Sequence, residues 1–63
     1  MNGFTIYYAD GGYTEFPDAH EAEADAVVTW FHRASDGDVI RLGARGQVIH
    51  AVRRHVTRIA VAR

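Results

Sequence analysis

Cysteine is missing from this 63-residue chain, which removes disulfide staples, thiolate zinc sites and thiol nucleophiles together. Lysine is missing as well: all seven basic residues are arginines. Alongside abundant Ala, Val and Gly, that usage points to a high-GC genome more than to a binding function. The single serine, Ser35, sits in the turn signal Ser35-Asp36-Gly37-Asp38, where serine is ordinary and no Gly-x-Ser-x-Gly elbow surrounds it. No apolar run approaches the roughly 18 residues needed to cross a bilayer. Met1-Asn2-Gly3-Phe4 lacks the basic stretch and apolar core of a secretory signal. The expectation is a cytoplasmic protein that does not engage a membrane.

Residues 1–63 have room for one domain and one core. A chain of this size buries only roughly 60% of the surface its unfolded form exposes. With disulfides excluded, the remaining ways to stabilise so small a core are a metal or association with another chain. The histidines argue against a metal. His20 and His32 are twelve residues apart on one helical stretch, about 18 Å at 1.5 Å per residue. His50 and His55 meet only through a tertiary or intersubunit arrangement, and no spacing matches a zinc motif. No metal, cofactor or small-molecule substrate is expected.

Charge is present but divided. Eight carboxylates and Arg33 precede Val39, a formal charge of −7, and six arginines follow, a formal +6. Either the two parts neutralise each other in the fold, or they give the molecule one acidic and one basic face for a charged partner.

Phe4 to Tyr8 and Tyr13 to Phe16 are β-branched and aromatic, with Asp10-Gly11-Gly12 between them, a strong hairpin signal. A three-residue loop with Gly12 in the left-handed region puts Phe4, Ile6 and Tyr8 on one face with Thr14 and Phe16. Thr5, Tyr7, Tyr13 and Glu15 then share the other. Pro17 ends the second strand, and Asp18-Ala19-His20-Glu21 has the spacing of a capping box. The helix predicted there runs to about Ala34, with Ala24, Val27, Val28 and Phe31 as its apolar stripe and Trp30 at the margin. Three further strands follow: Val39 to Leu42, Gln47 to Val52 and Val56 to Ala62. In the last, Ile59 and Val61 are the expected core residues; in the second, either alternating set suits the core. The architecture is α+β, ββαβββ, a small antiparallel sheet with one helix packed on one face.

Gly37 to Leu42, the glycine-bounded turn, Gln47-Val48-Ile49 and Arg54 to Val61 resemble the C-terminal half of small hairpin–helix–sheet proteins of high-GC actinobacteria and their phages. That resemblance covers about half the chain and implies a small accessory or regulatory protein; it carries over no site residues. An Sm-like barrel also follows a helix with strands, but begins with its helix, whereas this chain begins with a hairpin.

Catalysis is not expected, because Glu21, Glu23 and Asp25 spread around the helix start without converging and the chain is small for a substrate pocket. The glycines Gly11, Gly12, Gly43 and Gly46 precede no helix that would bind phosphate. Two classes remain. The first is a protein-interaction or regulatory module, acting as a homo-oligomer or on a host protein, with Tyr7, Tyr13, Trp30 and Arg58 as interface candidates and the final strand as a pairing edge. The alternative is nucleic-acid binding by an arginine surface of Arg41, Arg45, Arg53, Arg54 and Arg58, with Tyr7 and Tyr13 as stacking platforms.

Overall fold

A computed structural model of the chain describes residues 3–44 and 46–62. Five strands and one helix follow in the order expected: β1 (Phe4–Tyr8), β2 (Tyr13–Phe16), α1 (Glu21–Arg33), β3 (Val39–Ala44), β4 (Gln47–Val52) and β5 (Val56–Val61). The strands form two antiparallel sheets, one of three strands in the order β2-β1-β5 and one of β3 and β4. A single turn of 3-10 helix, Arg53–His55, joins β4 to β5 and separates the two sheets. Its backbone is tied to the start of β3, since Arg53 N–H donates to the Asp38 carbonyl at 2.8 Å and Arg54 N–H to that of Asp36 at 3.1 Å. The chain therefore leaves the second sheet at Arg53, and β5 pairs with β1.

The first hairpin has the predicted faces, with Phe4 opposite Phe16, Ile6 opposite Thr14 and Tyr7 opposite Tyr13. Its left-handed glycine is Gly11 (φ 92°), not the expected Gly12. Gly11 N–H donates to the Tyr8 carbonyl at 3.1 Å and Tyr8 N–H to that of Gly12 at 2.9 Å, so the loop is Ala9-Asp10-Gly11. A type I turn followed by a left-handed residue is the favoured build for three such residues. Asp10 fixes the exit by accepting a bond from Gly12 N–H at 2.8 Å.

The helix begins later than its carboxylates suggest. Its N-cap is His20, two residues past the expected Asp18, and the His20 side chain makes no capping hydrogen bond. Pro17 and Asp18 are spent in a turn in which Ala19 N–H reaches the Phe16 carbonyl at 3.4 Å. That turn buries Ala19 in the core. Apolar burial at Ala19 sets the helix start, over the local cap signal.

Phe4, Ile6, Phe16, Ala19, Ala24, Val27, Ala51 and Val56 make the buried core. The Phe4 and Phe16 rings stack at 4.7 Å. Ile59 and Val61 lie opposite Ile6 and Phe4, half-buried against the core as expected. Val56, which strict alternation would turn outward with Arg58, is buried. The cause is a register shift at Tyr7/Tyr8, after which Val56 lies opposite Tyr8; a bulge inserts one residue and restores the inward side.

The second sheet resolves the ambiguity of β4. Leu42 pairs with Ile49 and Ile40 with Ala51, and these pack on the core; Arg41 with His50 and Gly43 with Val48 form the outer side. Gly43 shares a cavity with Phe16, Ala19 and Glu23, while Arg53, at the other end of the hairpin, reaches Phe31 near the helix end. Helix and β3–β4 hairpin thus lie side by side across the inner face of the three-stranded sheet. Among the described residues, none covers the outer face of that sheet.

Candidate interaction surface

Alternation along β1 sends Thr5 and Tyr7 to the open face. Antiparallel pairing on both sides of β1 then lines up two cross-strand rows, Tyr13–Tyr7–Arg58 and Glu15–Thr5–Ala60. In the first row the tyrosine rings are 6.0 Å apart and tilted by 39°. The Arg58 guanidinium carbon lies 4.1 Å from the centre of the Tyr7 ring. Stacking of a guanidinium on an aromatic face holds it without a counter-ion. The neighbouring Thr57 hydroxyl donates to the Tyr7 carbonyl at 3.2 Å, closing the bulged part of the ladder. Tyr13, at the other end of the row, is 60% exposed.

Of the four interface candidates, the fold brings together Tyr7, Tyr13 and Arg58 and leaves Trp30 apart. Trp30 lies on the helix, half-buried against the core, and so on the other side of the three-stranded sheet.

The arginine candidates are scattered. Arg53 points inward: its Nε donates to the Phe31 carbonyl at 2.8 Å, its Nη1 to that of Val56 at 3.4 Å, and its guanidinium carbon stacks 3.8 Å from the Phe31 ring centre. It therefore caps the helix C-terminus, where carbonyls lack helical partners and a cation is favoured. Arg41 lies on the outer side of the β3–β4 hairpin, and Arg58 on the open face of the other sheet. The core lies between those two surfaces, so the two side chains leave the molecule on opposite sides. Arg54 is exposed in the 3-10 turn, and Arg45 lies outside the described residues. The open face itself carries Glu15 with Arg58, so its charges offset each other.

His50 and His55 line the same cavity, of about 370 Å³, with Tyr8 and Asp10. Among the described residues no group of three His, Asp or Glu is placed to hold a metal ion. No helix among them is long and apolar enough to cross a membrane. Nothing in the residue spacing announces that histidine pair, because the hairpin loop and the β4 end meet only in the tertiary fold. The bulge at Tyr7/Tyr8 was also not legible.

One edge feature completes the surface. Ala62 N–H donates to the Gly3 carbonyl at 2.9 Å, so in the alternating antiparallel ladder Ala60 and Arg58 also address β1. The backbone groups of Ile59 and Val61 are consequently directed away from the sheet, along an edge of β5 that no described strand pairs with. No protein-family model, curated protein or solved structure matches the chain.

Proposed function

We propose that this domain is a small, non-catalytic protein-interaction module of accessory or regulatory kind, whose contact surface is the open sheet face and the adjoining β5 edge. The observation that carries the reading is the ordered row Tyr13–Tyr7–Arg58 ending on β5, whose outer edge no described strand pairs with. Tyrosine and arginine supply large contact area on stiff or stacked side chains, so little conformational freedom is lost when a partner docks. An unpaired edge supplies backbone hydrogen bonds to a partner strand.

The offsetting of Arg58 by Glu15 and the scatter of the other arginines disfavour nucleic acid, whose affinity rests on a convergent positive surface. Size separation of a host extract tests the reading. The wild-type chain is expected in a species larger than the monomer, and a Tyr13→Ala/Arg58→Glu chain in the monomer fraction. Both chains running as monomers would overturn it. Tight, steeply salt-dependent binding to single-stranded DNA or RNA, lost in the same variant, would replace it with the nucleic-acid reading.

A further inference from the structure

We infer that the occupant of the β5 edge is a second copy of this chain, paired antiparallel with β5 about a two-fold axis at Ala60. The inference rests on the interaction reading above and names its partner. Three features of the edge point to this occupant.

The first is how little defends it. From Ile59 to Ala62 the strand has no charge, no proline and no bulge, which are the usual devices that keep a free edge from pairing. The opposite edge of the same sheet, β2, is four residues long, carries Glu15 and ends at Pro17. The β2 edge is guarded along its length, and that of β5 only up to Arg58.

The second is self-complementarity. Among the described residues, the outward backbone groups of the regular part of β5 belong to Ile59 and Val61, so there a copy exchanges hydrogen bonds between these positions. Setting Ile59 opposite the partner's Val61, twice by symmetry, brings Ala60 opposite the partner's Ala60. This register uses only the regular part of β5. Setting Ile59 opposite itself would place its remaining hydrogen-bonded pair at Thr57, inside the bulged segment. The favoured register also joins the half-buried Ile59 and Val61 in cross-strand apolar pairs on the core side. The exposed Ala60 leaves the axis free of bulk on the open side.

The third is charge. Arg58 is the one charged residue of β5, and this register sets it opposite the partner's Ala62. The two Arg58 positions are then four residues apart along the strands, about 13 Å at roughly 3.3 Å per residue. That exceeds the screening length of about 8 Å at physiological salt, so the two Arg58 charges do not oppose the pairing. The product is a six-stranded sheet with two Tyr13–Tyr7–Arg58 rows on one face.

The absence of cysteine gives a clean test. Residues opposite each other in a wide, non-hydrogen-bonded pair have Cα atoms about 4.5 Å apart, within disulfide reach. Under mild oxidation, Ala60→Cys is expected to form a covalent dimer. Thr5→Cys, on the same face but one strand further in, is expected to stay monomeric. Ala60→Glu and Ala60→Arg chains should each sediment as monomers and form a dimer when mixed, with circular dichroism confirming that each is folded. A wild-type chain monomeric at every concentration overturns the self-pairing, and the interaction reading survives only if the larger species persists in host extract. A wild-type dimer in which Ala60→Cys crosslinks no faster than Thr5→Cys overturns this edge and register while leaving self-association in place.

Discussion

The two faces of the three-stranded sheet are made by alternate residues of the same strands, yet they differ in almost everything but backbone. Phe4 and Ile6 are 4% and 0% exposed, locked against Phe16, Val27 and Ala51 in one cluster. Thr5 and Tyr7, their direct neighbours in sequence, lie on the open face with Tyr13, Glu15 and Arg58. Each side of the molecule also has one arginine stacked on a ring. Arg53 over Phe31 is tied to two backbone carbonyls, whereas among the described residues no hydrogen bond holds the Arg58 guanidinium over Tyr7. One stack fastens the helix end; the other waits on a surface. Stability resides on the inner face and recognition is proposed for the outer, and that division can be broken experimentally.

The largest effect is expected from neighbouring truncations. Ile6→Ala removes a fully buried side chain, at a cost of about 2–5 kcal/mol for such deletions. A 63-residue domain has about 3–9 kcal/mol to lose, at roughly 0.05–0.15 kcal/mol per residue. Ile6→Ala should therefore leave much of the chain unfolded in chemical denaturation. Tyr7→Ala, one residue on, loses a cross-strand ring pair and a cation–π contact and should cost about 0.7–2 kcal/mol. Equal losses at the two positions would show that the open face is part of the stabilising core.

The paired arginines come next. Arg53→Ala deletes the bond to the Phe31 carbonyl and uncovers the Phe31 ring, an expected cost of about 1–2 kcal/mol. At roughly 4–8 °C per kcal/mol for a domain of this size, thermal unfolding should fall by several degrees. Arg58→Ala should stay within about 1 kcal/mol, the scale of an exposed cation–π contact. If Arg58→Ala lowers the melting temperature as far as Arg53→Ala, the contrast between the two stacks fails.

That contrast was only partly legible in the chain. The hairpin faces followed from period-two alternation, and the Tyr7–Tyr13 pairing came with them. The α+β order was equally plain, because apolar periodicity changes from two to 3.6 and back at Pro17 and Ser35. Three things that sequence reasoning placed wrongly were decided by packing or strand pairing in the fold. The Asp18 cap gave way because burying Ala19 beside Phe16 outweighs one capping bond. Val56 turned inward because a bulge at Tyr7/Tyr8 reset the alternation. Arg53 left the candidate basic surface because its partner, Phe31, is 22 residues away, beyond any local pattern. Arg58 and Tyr7 met through strand pairing, a link that chain order alone does not disclose.

The smallest effect on stability is also the sharpest test of the division. Tyr13 lies at the outer end of its row, on the edge strand β2, 60% exposed and touching the ring of Tyr7 at 6.0 Å. Losing one exposed cross-strand aromatic pair changes stability by about 0.2–1 kcal/mol. Tyr13→Ala should therefore melt within a few degrees of the wild type while its complexes in host extract dissociate. Tyr13→Phe, which keeps the ring and removes only the hydroxyl, should retain most of the association if area and stiffness are what the partner meets. A hydroxyl that bonds the partner directly would instead make Tyr13→Phe as weak as Tyr13→Ala. Should Tyr13→Ala lose more than about 1 kcal/mol of folding stability, the row would be a brace between strands, and the recognition role assigned to the outer face would fall with it.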